Sequence, residues 1–102
     1  MLFRSVVTVL PGDARETLRT HEGPVDLLFL DGWNDLYFEI LALMEPKLRP
    51  GAAVLVDNAS FPRVQGFLRH LRESPSYASS TLQTDKFPME LAVWTGGDPA
   101  GR

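Results

Sequence analysis

The 102-residue chain has no cysteine. This excludes a disulfide framework, a thiolate metal site and a cysteine nucleophile. It has no apolar run near the roughly 20 residues that span a bilayer. Its first ten residues lack the apolar core and small-residue cleavage site of a secretory leader. It has no basic excess: ten Lys and Arg face thirteen Asp and Glu, for a net charge of −3. A phosphate backbone needs a concentrated basic face, so nucleic acid is not an expected partner. Nor is a membrane, and a cytoplasmic location is the default expectation. Internal repeats and low-complexity linkers are also missing. What is present, 44% hydrophobic and 23% charged residues, fits one small globular domain or part of a larger one.

Turn signals divide the chain. Residues 3–10, rich in Val and Thr, read as a strand stopped by Pro11-Gly12. Asp13 stands at an N-cap position with Glu16 three residues on, and a short helix is expected over residues 14–20. VDLLFL at 25–30 reads as a buried strand that ends at Asp31-Gly32. Tyr37, Ile40, Leu41, Met44 and Leu48 recur at helical spacing, and Pro50-Gly51 closes that helix. A second buried strand is expected at 52–56, ending in Asp57-Asn58. Pro62 can open a helix in which Val64, Phe67, Leu68 and Leu71 share a face, with Arg63, Arg69, His70 and Arg72 solvated opposite. Weak alternation at 77–84 and clear alternation at 89–95 predict two last strands. The order is β-α-β-α-β-α-β-β, an α/β fold. Its first three strands would be parallel and its last two an antiparallel hairpin at one edge. Residues 1–95 are expected to form the domain and 96–102 a flexible tail.

Ligands of such sheets bind at the carboxyl ends of the strands. Gly12-Asp13, Asp31 and Asp57-Asn58 all fall there. If the strands before Asp31 and Asp57 are neighbours, about 4.8 Å apart, the two carboxylates converge. They repel unless a cation or proton intervenes. With the Asn58 amide they make three hard oxygen donors suited to Mg²⁺. As turn caps, the same aspartates would need no ion. His21, in a loop, and His70, on a polar helix face, read as surface residues.

The segment Leu30-Asp31-Gly32-Trp33-Asn34-Asp35-Leu36-Tyr37 resembles class I S-adenosylmethionine-dependent O-methyltransferases of the metal-dependent catechol and caffeoyl-CoA type. Ala53-Val54-Leu55-Val56-Asp57-Asn58, Gly12-Asp13-Ala14 with Thr17-Leu18, and Glu90-Leu91-Ala92-Val93-Trp94 resemble further stretches of that family in the same order. The resemblance implies a partial Rossmann-like methyltransferase sheet, mostly parallel, with helices on both faces. It implies methyl transfer from S-adenosylmethionine to a hydroxyl of a small phenolic or vicinal-diol acceptor. Asp31, Asp57 and Asn58 would hold Mg²⁺ or another divalent cation. Asp13, Ala14, Asp31 and Trp33 would bind the cofactor. For Trp33 a place in the core is the other reading, and Tyr37 is expected to pack.

Two departures stand out. Asn34 occupies the catalytic position where the family carries a lysine base. The family's Gly-rich loop and its acidic ribose-binding residue are not found, so the chain corresponds to the C-terminal half of such a domain. The strand at 3–10 would then lack its usual neighbours and repack against the strand at 25–30, pair with a second copy or a complementary chain, or remain loosely held. A non-catalytic half-domain that serves association is the alternative. A receiver-type phosphoacceptor fails, because only one acid follows the first strand and Asp57-Asn58 stands where Ser or Thr is needed. A nucleotide hydrolase fails for want of a phosphate-binding glycine loop with lysine.

Overall fold

The computed structural model describes residues 6–96. It contains four strands, β1 (Val25–Leu30), β2 (Leu48–Val56), β3 (Tyr77–Leu82) and β4 (Met89–Trp94). Its helices are α1 (Ala14–Thr17), α2 (Tyr37–Met44) and α3 (Gln65–Glu73). Short 3₁₀ turns extend them: Leu18–Thr20 follows α1, Asn34–Leu36 and Glu45–Lys47 flank α2, and Pro62–Val64 leads into α3. The strands form one sheet in the order β1-β2-β4-β3.

The sheet is mixed rather than mostly parallel. β1 and β2 are parallel, whereas β4 runs antiparallel to both β2 and β3. The third parallel strand expected at 3–10 does not form within the described residues. Residues 6–10 carry no strand, and Val6 and Val9 are 76% and 80% exposed. Val and Thr favour strands because they pack well on a pleated, half-buried surface. This segment has no such surface and leads directly into α1. Residues 3–5, and 97–102 of the expected tail, lie outside the described residues.

β2 starts four residues earlier than expected. Leu48 pairs with Val25 instead of continuing the helix, and the 3₁₀ turn at Pro46 is where the helical stretch stops. The ladder then slips. β2 takes five steps from Leu48 to Ala53 while β1 takes two from Val25 to Leu27. Pro50 and Gly51 absorb the excess, with Gly51 at φ 90°.

Alternate strand residues divide between two faces. Leu28, Leu30, Val54, Val56, Glu90 and Ala92 are buried on one face, under Tyr37, Ile40, Leu41 and Met44 of α2 and Phe67, Leu68 and Leu71 of α3. Edge-on contacts of Tyr37 and Phe38 with Phe67 lock α2 to α3. Ala14 and Leu18 pack on the same core. The helices among the described residues thus share one face where two were expected. Leu27 and Phe29 on the other face remain 58% and 50% exposed.

Candidate functional site

The β1–β2 register sets the site. Leu30 is paired with Val56, and the Asp57 amide donates to the Leu30 carbonyl at 3.0 Å. The chains of Asp31 and Asp57 therefore leave the sheet from adjacent parallel tips, which meets the condition set for their convergence. Asp57 and Asn58 are half-buried, and Asp31 is exposed. Asn58 sits at φ 60°, a left-handed conformation that asparagine adopts more readily than most residues. Its carbonyl accepts from the Phe61 amide at 3.0 Å, which turns the chain toward α3.

Beside these tips a cavity of about 610 Å³ opens along the free edge of β1. Asp13, Ala14, Asp31 and Trp33, the four residues singled out as cofactor contacts, all line it, with apolar walls from Leu28 and Ile40. Trp33 is 75% exposed, so it is not a core aromatic.

Asp13 is engaged from within α1. Its carboxylate caps the helix by accepting from the Arg15 amide at 2.9 Å, and the Arg15 guanidinium grips it at 2.8 Å. These hydrogen bonds hold the Asp13 carboxyl below its ordinary range. Arg15 also lies 3.5 Å from Glu39 and so ties α1 to α2. Sequence reasoning missed Arg15, although its place two residues after a cap was the available signal. Glu16 does not complete a capping box; its carboxylate lies 3.8 Å from Arg19.

Asn34 is folded back on its own loop and donates to the Gly32 carbonyl at 3.3 Å. Its amide has no basic lone pair to take a proton. His21 is exposed and accepts from the Gly23 amide, and His70 is exposed beside the Phe38 ring.

Tyr37 packs in the core as expected, but its hydroxyl stands apart from that role. Its ring is 3% exposed, and its hydroxyl is buried with no hydrogen-bond partner. The Gly32 amide and the Asn34 side chain approach this oxygen without bonding geometry. Burial, with the charges of Asp31 and Asp57, raises the pKa of the phenol. Both carboxylates therefore act on one buried hydroxyl. No cluster of three or more His, Cys, Asp and Glu side chains forms among the described residues. The adjacent strand tips carry two carboxylates and a side-chain amide oxygen, the hard donor types that divalent cations take. An orphaned hydroxyl beside them is consistent with a site completed by something bound.

A family model described as a methyltransferase domain matches residues 2–59. Catechol O-methyltransferase B of Danio rerio is 45% identical over 56 residues, which is 53% of this chain and 21% of that protein. Catechol O-methyltransferase of Bos taurus is 34% identical over 80 residues, 71% of this chain and 29% of that protein. The solved structure of the O-methyltransferase TomG from Streptomyces achromogenes, in complex with SAM, superposes with a TM-score of 0.66 at 25% identity. That match covers 81% of this chain and 46% of TomG. The chain thus spans less than a third of these curated relatives and under half of this structure.

Proposed function

We propose that this chain, which belongs to the methyltransferase domain family, carries the acceptor-side part of an O-methyltransferase site. The substrates are S-adenosylmethionine and a small phenolic or vicinal-diol acceptor. The observation that carries the reading is the meeting of Asp13, Ala14, Asp31 and Trp33 around one cavity beside the Asp57-Asn58 corner.

In this reading Asp31, Asp57 and Asn58 hold a divalent cation, whose chemistry is to polarise two neighbouring acceptor oxygens and favour the ionised hydroxyl. The other roles belong to the chain itself. Trp33 presents an exposed ring against which the planar base of the cofactor can stack. The Asp13–Arg15 pair fixes the start of α1 beside it. Leu28 and Ile40 give the cavity a dry wall, which strengthens electrostatic effects inside. Fixing methyl donor and acceptor in one geometry is the main catalytic resource of such a site. Asn34 cannot serve as the base that its position suggests. It braces the Gly32 turn instead, and the acceptor proton must leave by another route. The Gly-rich strand–helix unit that would contact the rest of the cofactor is not among these 102 residues.

Titration of the chain with S-adenosylmethionine, with and without Mg²⁺, tests the reading. Tryptophan fluorescence should be quenched on binding, and Trp33→Ala should abolish the quench, leaving Trp94 unaffected. Absence of both heat and quench with either ligand would overturn it.

A further inference from the structure

We propose that the Tyr37 hydroxyl is a positioning group for the carboxylate corner: it donates a hydrogen bond to Asp31 or Asp57 when those side chains close on a cation. This rests on the functional reading above and adds a residue to it.

Three observations carry the inference. The ring is immobilised. It is 3% exposed and meets Phe67 edge-on, with centroids 5.6 Å apart and planes at 63°, which fixes where the hydroxyl lies. The hydroxyl is then left without a partner. Leaving a buried polar group unpaired costs about 1–3 kcal/mol, so such groups are rare without a compensating role. Finally, the surroundings are one-sided. The Gly32 amide that approaches the phenolic oxygen is a donor, and Tyr37 lines the same cavity as Asp31. The negative groups acting on it are Asp31 and Asp57. A proton on that oxygen therefore has carboxylates as its natural acceptors.

A core tyrosine kept only for packing would lose nothing specific if its hydroxyl were removed. A positioning hydroxyl behaves differently. It contributes no bond in the cation-free chain, and it orients a carboxylate in the loaded one, leaving the remaining oxygens aimed at the ion. Supporting bonds of this kind tune metal affinity without touching the metal.

Tyr37→Phe keeps the ring and removes only the hydroxyl. Two measurements separate the possibilities: the thermal midpoint without cation, and the affinity for Mn²⁺ alone by electron paramagnetic resonance. The expected result is an unchanged or raised midpoint together with about tenfold weaker Mn²⁺ binding, the order of one charge-assisted hydrogen bond. Equal Mn²⁺ affinity in Tyr37→Phe and the parent chain overturns the inference and leaves the functional reading standing. A lowered cation-free midpoint also overturns it, because the hydroxyl then has a partner before any ion arrives. If the parent chain takes up no Mn²⁺, the metal part of the functional reading falls, and the inference with it.

Discussion

The two faces of the sheet carry the same strands and meet opposite fates. On one, Val54, Val56, Ala92 and Glu90 are fully buried beneath α2 and α3. On the other, Leu27 and Phe29 of the same β1 strand are half-exposed or more, and Leu55, Leu91 and Val93 are only partly covered. The bare face is the more uniformly apolar of the two. In β4 the alternation places Met89, Leu91 and Val93 outward, and Glu90 and Ala92 inward. Burial here follows which side the helices cover, not which side is greasier. A charged residue is admitted to the covered side because its partners are there. Arg72 reaches Glu90 at 2.8 and 3.0 Å, Ser79 donates to it at 2.6 Å and Thr81 at 2.8 Å. Every oxygen of the buried carboxylate is thereby satisfied.

The sharpest way to break this contrast is to place one charge on neighbouring residues of β2. Val54→Asp puts an unpaired carboxylate at a fully buried position and should cost about 4 kcal/mol or more, enough to unfold a domain of ordinary stability. Leu55→Asp, one residue on and facing the bare side, should cost less than about 1 kcal/mol. Urea melts followed by circular dichroism check both. Equal losses would mean that the second face is also covered in solution.

The next effect concerns the buried pair. Burial alone would raise the pKa of Glu90, but the Arg72 guanidinium and the Ser79 and Thr81 hydroxyls outweigh it and hold the carboxyl below its ordinary value of 4.5. A folded-state pKa below the unfolded one adds stability that is fully present above the unfolded value and is lost as pH falls through the folded one. The thermal midpoint of the parent chain should therefore drop below about pH 4.5. Arg72→Ala leaves the carboxylate buried without its cation. That should cost about 3 kcal/mol at neutral pH, the low end for a broken buried pair, since two hydroxyls still donate. Burial then regains weight, the Glu90 pKa moves up, and the acid-side fall in midpoint should flatten. An equally steep acid-side fall in Arg72→Ala would show that the acid sensitivity lies elsewhere.

Much of the covered face was legible in the sequence, because apolar periodicity reports burial wherever one element packs on another. Val64, Phe67, Leu68 and Leu71 fell on the core side of α3 and its leading turn, and the runs before Asp31 and Asp57 became the adjacent strands β1 and β2. The two aspartates and Asn58 were readable as strand tips for the same reason. Failures occurred where a residue's fate depends on a distant partner. Val and Thr at 6–9 have strand propensity but no neighbouring strand to pair with. Arg72 read as part of a solvated basic face, because its partner Glu90 lies 18 residues on in another element. Pro50-Gly51 marks a turn in most sequences, but here it is a bulge inside β2, a difference set by pairing with β1. The orphaned Tyr37 hydroxyl could not be read at all. Periodicity counts its ring and is blind to the atom at the end of it.

The smallest effect is the most telling about the bare face. Phe29→Lys replaces a half-exposed aromatic on β1, next to the sheet's free edge, with a long cation whose stem can still lie along Leu27 and Leu55. Because little area is lost from the core, the midpoint should move by no more than about 0.5 kcal/mol in stability. The change in colloidal behaviour should be larger. Exposed apolar faces and free strand edges favour association, and a lysine near such an edge opposes it. Light scattering at rising concentration should show weaker attraction between chains in Phe29→Lys than in the parent. Leu28→Lys, one residue earlier and on the covered side, should unfold the chain. If the two lysines are equally damaging, the distinction between the faces is lost.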